Sequence, residues 1–105
     1  MVRFGLSEQT INLIESVVKK YPQIEKTQII GSRVIGNFQD YSDIDLVFYG
    51  NIDQDLHGKV KQELEDLPLP YTFDILIYDK ISSKSLIGHI QKYGKNFLQE
   101  VKNLF

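Results

Sequence analysis

Residues 31–47 read GSRVIGNFQDYSDIDLV, a stretch that places a Gly-Ser pair ten residues before an Asp-x-Asp sequence. The β-rich run that begins at Asp43 predicts a strand, and side chains on a strand point alternately to its two faces. Asp43 and Asp45 therefore project from one face, and Ile44 projects from the other. Two carboxylates about 4 Å apart repel each other by on the order of 4 kcal/mol at an effective dielectric constant of about 20. A divalent cation would turn this repulsion into binding, and hard oxygen ligands suit Mg²⁺ or Mn²⁺.

A third carboxylate interrupts the apolar run TFDILIY at residues 72–78. If this run is a strand, Phe73 and Ile75 belong to one face and Asp74 belongs to the other. The strands at 43–49 and 72–78 could pair directly or lie one strand apart, and Asp74 could then reach the two earlier aspartates. Three convergent carboxylates are sufficient to hold two metal ions for an in-line displacement at phosphorus. The alternative interpretation is that all three aspartates are solvated, at a strand start and on the exposed face of an edge strand.

Gly31 and Ser32 follow a short β-rich run and open what the pattern predicts to be a helical turn. Glycine lets backbone N–H groups approach a phosphate, and the beginning of a helix favours anions. Ser32 adds a hydroxyl donor, and Arg33 adds a charged donor. For Arg33, a surface salt bridge is the alternative interpretation. A Gly-Ser pair occurs in many turns, so it indicates a phosphate site only together with the carboxylates.

The spacing of apolar residues along the rest of the chain predicts helices at 8–21, 53–67, 83–93 and 96–104. The β-rich runs predict strands at 27–30, 43–49 and 72–78. Ser7 is expected to cap the first helix, and Pro22 is expected to stop it. The order is therefore helix, strand, short helical turn, strand, helix, strand, helix. This alternation predicts an α/β (α+β) fold, with a small mixed β-sheet flanked by helices, in a single domain over residues 1–105.

The composition is that of an ordinary globular domain, with 42% apolar and 25% charged residues. The net charge of −2 provides no basic field for nucleic acid, which is therefore not expected as the main partner. The absence of cysteine excludes disulfides, thiolate metal sites and cysteine nucleophiles. The N-terminal sequence has no apolar run like that of a secretory signal, and no apolar segment is long enough to span a bilayer. We therefore expect a cytoplasmic protein without a membrane partner.

The combination of these motifs resembles the DNA polymerase beta-like nucleotidyltransferase superfamily. The pattern of that superfamily is Gly-Ser, about ten residues, Asp-x-Asp, and a later acidic residue on a strand. Here residues 33–42 separate Ser32 from Asp43, and Asp74 occupies the place of the third carboxylate. Within the superfamily, the sequence is most similar to the minimal nucleotidyltransferase (MNT) antitoxin branch. Members of that branch typically act beside an all-helical HEPN-domain protein, as a toxin–antitoxin pair.

The resemblance implies a nucleotidyltransferase fold and the metal-dependent transfer of a nucleoside monophosphate, expected to be AMP from ATP, to a hydroxyl acceptor. It also implies that the acceptor is a tyrosine of a HEPN toxin, so that the chain is an antitoxin in a hetero-oligomer. Gly31 and Ser32 would hold the β- and γ-phosphates, with Arg33 as a further phosphate contact. Asp43 and Asp45 would bind Mg²⁺ or Mn²⁺, and Asp74 would join them and help to activate the acceptor hydroxyl.

Two other functions stay open at this point. A non-catalytic antitoxin would neutralise a HEPN partner by direct contact, and a chain of 105 residues leaves little room for acceptor recognition. A nucleotide-binding regulatory domain without a toxic partner is the other. Tyr41 could flank the nucleotide, and the apolar stretch at 97–105 could pack on the sheet or bind a partner. His57 and His89 have no partner at ligand spacing, so we interpret both as structural or solvent-facing.

Overall fold

A small mixed sheet with helices on both of its faces makes up residues 2–97, the part of the chain that this computed structural model describes. The strands are β1 (Val2–Arg3), β2 (Leu6–Ser7), β3 (Lys26–Ile30), β4 (Ile44–Tyr49), β5 (Phe73–Ile77) and β6 (Lys95–Asn96). The helices are α1 (Glu8–Val18), α2 (Ser32–Ile35), α3 (Gln54–Glu65) and α4 (Lys84–Tyr93), with a 3-10 turn at Tyr78–Lys80. The predicted fold class is confirmed. Among these described helices, none combines the length and the apolar character that a membrane crossing needs.

The main sheet has the strand order β5-β4-β3-β6. β3 runs antiparallel to both β4 and β6, whereas β4 and β5 run parallel to each other and are joined by the crossover helix α3. The sequence left open whether the strands that contain the aspartates pair directly, and they do. Because of these directions, β3 ends at the same end of the sheet at which β4 and β5 begin. We call this end, where Ile30, Asp45 and Asp74 lie, the motif end.

Alternation along β4 divides the core between the two faces of the sheet. Leu46 and Phe48 are fully buried on the face that α1 and α3 cover. Their cluster includes Ile11, Ile14, Ile44, Val60, Leu64, Phe73 and Ile75. On the opposite face, Ile90 of α4 packs with Ile30 and Val47. Full burial of a side chain of this size contributes about 1.5–3 kcal/mol, so packing on both faces holds the register of β4.

Side-chain caps determine where the long helices begin. Ser7 caps α1, as predicted, while Asp53 caps α3 and Ser83 caps α4. Each cap oxygen accepts the backbone N–H three residues later, which satisfies a donor that the helix itself leaves unpaired. α3 and α4 therefore begin one residue after their predicted starts. α3 ends at Glu65 rather than at the predicted Leu67, because Leu67 precedes a proline.

Helix α1 ends at Val18 rather than at the predicted Tyr21. Tyr21 directly precedes Pro22, and the residue before a proline is disfavoured in the helical region. The chain leaves the helix through two tighter turns. In these turns the N–H of Lys20 donates to the carbonyl of Val17, and the N–H of Tyr21 donates to that of Val18, both at 3.1 Å.

An N-terminal hairpin, which the sequence did not predict, joins β1 to β2. Its turn consists of Phe4 and Gly5, whose φ angles are 59° and 72°. Two consecutive left-handed residues match the twist of a hairpin, but the sequence signal for such a turn is Asn-Gly or Asp-Gly. A phenylalanine at this position adopts a strained conformation, so the turn depends on contacts with the rest of the fold.

The helix predicted at 96–104 is wrong at its start. Asn96 lies in β6 and pairs with Gln28, and the N–H of Phe97 donates to the carbonyl of Thr27 at 3.0 Å. The open edge of β3 offers backbone partners to this segment, and the Phe97 side chain is fully buried. The rest of the predicted helix, and of the apolar C-terminal stretch, lies outside the described residues.

Candidate active site

Asp45 and Asp74 are direct neighbours across the parallel pair of β4 and β5. Opposed residues of adjacent strands point to the same face of a sheet. Both carboxylates therefore project from the face on which Val47 and Leu76 lie, with Asp45 half-buried and Asp74 exposed. The expectation that Asp74 shares a face with the Asp-x-Asp motif is confirmed for Asp45.

Asp43 lies one residue before β4 rather than inside it. Its carboxylate accepts a hydrogen bond from the hydroxyl of Thr72, the residue before β5. Thr72 is a further residue of the site that the sequence did not single out. The available signal was its place at the start of the predicted strand 72–78, because Asp43 starts the predicted strand 43–49 and pairing of Ile44 with Phe73 puts the two starting residues opposite each other.

The surroundings of Asp45 raise the pKa of its carboxyl above the ordinary value for an aspartate. Burial of the carboxyl is the largest cause, followed by the negative charges of Asp74 and then of Asp43. The positive charge of Arg33 acts in the opposite direction. The three carboxylates of the motif end therefore act on one another electrostatically, and a bound divalent cation would remove this repulsion.

Gly31 brings the end of β3 against Asp45. Ile30, the last residue of β3, pairs with Asp45, and Gly31 follows with a φ of 83°. A Cβ atom on Gly31 would lie 2.3 Å from Oδ2 of Asp45. Both the left-handed φ and the close approach therefore require glycine. The chain then enters α2 at Ser32, so the Gly-Ser pair begins this helix directly after the contact with Asp45.

Arg33 differs from both of its sequence-based interpretations. Its side chain is 3% exposed, and its guanidinium donates four hydrogen bonds to backbone carbonyl oxygens. These carbonyls belong to Phe4, Asp40 and Ser42. A surface salt bridge and a direct phosphate contact both assume an exposed guanidinium, whereas the structure places the guanidinium of Arg33 inside the fold. A buried charge is tolerated when it is hydrogen-bonded, which these carbonyls provide.

The donors at the motif end fit Mg²⁺ or Mn²⁺ in their chemistry, since all are carboxylate oxygens in a region of excess negative charge. Over residues 2–97, however, no three or more His, Asp or Glu side chains are arranged as a ready metal-binding group. The carboxylate of Asp43 accepts the hydrogen bond from Thr72. The assignment of Asp43, Asp45 and Asp74 as ligands of a shared metal ion stays a prediction.

Tyr41 adjoins the motif end, and a cleft lies farther along β5, toward its opposite end. Tyr41, in the loop before β4, is 70% exposed, and its ring is tilted against that of Tyr71 at a centroid distance of 6.5 Å. A cleft of about 370 Å³ opens along β5, and its lining includes Leu76, Lys80, Ile81, Leu86 and His57. Leu76 lies two residues after Asp74 on the same face, so the cleft begins about 7 Å along the strand from that carboxylate.

The family model described as polymerase beta nucleotidyltransferase matches residues 12–103, a range that contains the Gly-Ser pair and all three aspartates. No curated protein matches the sequence significantly.

Solved structures similar to this chain include several toxin–antitoxin complexes. A toxin–antitoxin structure with AMP-PNP has a TM-score of 0.71 and 20% sequence identity, over 89% of this chain and 76% of that chain. The toxin–antitoxin MntA–HepT has a TM-score of 0.66 and 18% identity, over 90% and 74% of the two chains. A tri-AMPylated Shewanella oneidensis HEPN toxin in complex with MNT antitoxin has a TM-score of 0.67 and 20% identity, over 89% and 72%. Likeness at these identities shows a common fold.

Proposed function

Since the chain belongs to the polymerase beta nucleotidyltransferase family, we propose that it is a metal-dependent enzyme that moves a nucleoside monophosphate from a nucleoside triphosphate to a hydroxyl group and releases pyrophosphate. The proposed donor is ATP, so the transferred group is AMP. The proposed acceptor is a tyrosine of a HEPN toxin. By modifying that tyrosine, this chain would act as the antitoxin of the pair.

The arrangement of Gly31, Asp45 and Asp74 is the observation that supports transfer most directly. In-line displacement at phosphorus depends on neutralising the charge of the triphosphate and aligning the acceptor hydroxyl. Asp45 and Asp74 set two hard ligands side by side. Gly31 lets the backbone after β3 lie directly against the Asp45 carboxylate, at a point where a Cβ atom would stand 2.3 Å from Oδ2. A merely solvated strand end would not need a glycine in this conformation against one of its carboxylates.

Each residue of the motif end has one proposed task. Gly31 and Ser32 hold the β- and γ-phosphates through backbone N–H groups and the serine hydroxyl. Asp43 and Asp45 bind Mg²⁺ or Mn²⁺, and Asp74 completes the ligand set and helps to take the proton from the acceptor hydroxyl. When bound, the metal supplies positive charge that offsets the charge developing on the phosphate oxygens.

The similar complexes suggest the donor and the acceptor. One contains AMP-PNP, and another contains a tri-AMPylated HEPN toxin bound to MNT antitoxin. If this chain works as those antitoxins do, ATP is its donor and a HEPN protein is both its partner and its acceptor.

A non-catalytic antitoxin is the second candidate function. The observation that favours it is that residues 2–97 contain no ready group of three metal ligands. In this case the chain would neutralise a HEPN toxin by direct contact, and the acidic site would be a vestige or would only sense nucleotide.

Transfer of label from α-labelled ATP to the HEPN protein, in the presence of Mg²⁺, separates the two candidates. We would compare the wild type with the double variant Asp43→Asn, Asp45→Asn. The matched control is Asp55→Asn, an exposed aspartate in the first turn of α3, which follows the opposite end of β4. We expect labelled toxin with the wild type and the control, and a loss of at least about 10²-fold with the double variant.

Equal labelling by the double variant would contradict the assigned roles. Neutralisation of the toxin by all three proteins without transfer of label would favour the non-catalytic antitoxin.

A further inference from the structure

We propose that Arg33 is a positioning residue: from inside the fold, its guanidinium holds the loop at residues 36–43 and so keeps Asp43 in place at the entry to β4, two residues before Asp45. The inference rests on the proposed function, because it assigns Arg33 the task of keeping a proposed metal ligand in place. It also explains why Arg33, a positively charged residue directly after the Gly-Ser pair, is buried.

Two of the four hydrogen bonds that Arg33 donates go to the carbonyl of Ser42, the residue directly before Asp43. Nε donates to this oxygen at 3.2 Å and Nη2 donates to it at 3.0 Å. Nη2 also donates to the carbonyl of Asp40 at 3.3 Å. Two donors on one oxygen fix the orientation of the peptide that leads into Asp43. The loop is thus held from within, immediately before the first carboxylate of the motif.

A second anchor of Arg33 is the N-terminal hairpin. Nη1 donates to the carbonyl of Phe4 at 3.0 Å. The turn residue Gly5 lies so close to the loop that a Cβ atom on it would stand 2.3 Å from the ring of Phe38. The ring of Phe4 in turn stacks on Phe97, with centroids 6.1 Å apart. The hairpin is therefore a fixed base from which the guanidinium reaches the loop.

The guanidinium carbon of Arg33 lies over the faces of two aromatic rings. The guanidinium carbon lies 5.0 Å from the ring centroid of Phe38, in the loop, and 4.9 Å from that of Tyr71, which precedes β5. Cations are attracted to the faces of such rings. Arg33 thus joins α2, the loop before β4 and the segment before β5, and the last two lead into the strands that carry Asp45 and Asp74.

Only an arginine can make this set of contacts. Its guanidinium is a planar fork with donors in several fixed directions and flat faces that stack on rings, whereas a lysine ammonium is a compact point charge. Arg33→Lys keeps the positive charge but loses the planar set of donors. Arg33→Met loses both the charge and the donors, and keeps a long side chain. Arg3→Lys is the matched control, because the Nη1 atom of Arg3 also donates to a carbonyl, that of Phe97, at 3.3 Å.

Two measurements on the full chain test the proposal. The first is backbone hydrogen exchange, in which we expect amides of the loop at 36–43 to exchange at least about tenfold faster in Arg33→Lys, with α1 unchanged. The second is the dissociation constant for Mn²⁺ alone. Residues that orient metal ligands change metal affinity by about 10–100-fold when replaced, so we expect at least a tenfold weakening in Arg33→Lys, more in Arg33→Met, and none in Arg3→Lys.

A folded Arg33→Lys protein with wild-type loop exchange would overturn the proposal, and so would one with wild-type affinity for Mn²⁺. If both Arg33 variants fail to fold, the ¹⁵N–¹H signals of the Arg33 guanidinium in the wild type decide. If these N–H groups are protected from exchange in the ligand-free protein, and if their chemical shifts do not change when Mg²⁺ and AMP-PNP are added, the result supports the positioning role. Large shifts on nucleotide binding would show a direct phosphate contact and overturn it. A wild type that binds no Mn²⁺ contradicts the proposed function instead, and loop exchange then still decides whether Arg33 holds the loop.

Discussion

Gly31 approaches Asp45 so closely that a Cβ atom on the glycine would stand 2.3 Å from the carboxylate oxygen Oδ2. The glycine ends a strand with a φ of 83°, and the aspartate lies on the neighbouring strand with a raised pKa. This contact joins the backbone at the start of α2 to Asp45, the carboxyl whose pKa is raised. A change at either residue is therefore expected to alter the other.

Gly31→Ala should destabilise the fold and abolish nucleotidyl transfer. A left-handed conformation costs a non-glycine residue about 1–3 kcal/mol, and the added methyl group must also displace the Asp45 carboxylate. We expect the free energy of unfolding in urea to fall by at least about 2 kcal/mol. Gly58→Ala, inside α3 with open space around its Cβ position, is the control and should gain about 0.5–1 kcal/mol. If Gly31→Ala is as stable as the wild type, the Asp45 carboxylate can move away from residue 31 with little loss of folding free energy, which contradicts this prediction.

Asp45→Asn should stabilise the metal-free protein at pH 7. The folded-state pKa of Asp45 is raised, so between the ordinary pKa and the raised value the folded state binds more protons than the unfolded state. Stability of the wild type therefore falls as the pH rises through this window. The asparagine carries no charge and avoids this loss.

We expect the variant to have the higher urea midpoint at pH 7. This advantage should vanish at about pH 3, where the carboxyl is protonated in both states. Asp55→Asn controls for the general effect of removing one negative charge. A lower midpoint of Asp45→Asn at pH 7, or an advantage that grows toward acid, would contradict the electrostatic account of the motif end.

Thr72→Val should weaken metal binding with little effect on stability. The Thr72 hydroxyl donates to the carboxylate of Asp43, and both residues are exposed. Hydrogen bonds that orient metal-ligating carboxylates influence affinity by about 10-fold or more, whereas exposed substitutions usually change stability by less than about 0.5 kcal/mol. We expect a rise in the Mn²⁺ dissociation constant for Thr72→Val and a near-normal value for Thr72→Ser. Tighter binding by Thr72→Val would mean that the hydroxyl holds Asp43 away from the metal.

Asp74→Asn should slow transfer far more than it weakens nucleotide binding. As the proposed acceptor of the proton from the incoming hydroxyl, Asp74 contributes in the transition state, and such general bases are worth about 10²–10⁴-fold in rate. Asp74 is exposed, so its loss should leave the fold intact. The test compares single-turnover transfer with the dissociation constant for ATP measured with Mg²⁺. An equal loss in both quantities would make Asp74 a metal ligand alone.

The alternation of side chains along DIDLVFY and TFDILIY determined much of the site without any knowledge of the fold. A strand turns each successive side chain to the opposite face. Asp45 therefore had to project from the face opposite to that of Ile44 and Leu46. In the same way, Asp74 had to project from the face opposite to that of Phe73 and Ile75. The conformational freedom of Gly31 and the capping role of Ser7 were also visible in the sequence, because both depend on backbone preferences within a few residues.

The tertiary structure alone decided the partners of Arg33, the strand at 95–96 and the direct pairing of β4 with β5. Arg33 reaches the carbonyl of Phe4, 29 residues away, and no local pattern shows which carbonyls a fold will leave for a buried guanidinium. Asn96 joins a strand because the edge of β3 is open to it. Local alternation sets the face from which a side chain projects, since backbone geometry is short-range. Its partners there depend on long-range packing, which is a property of the whole chain.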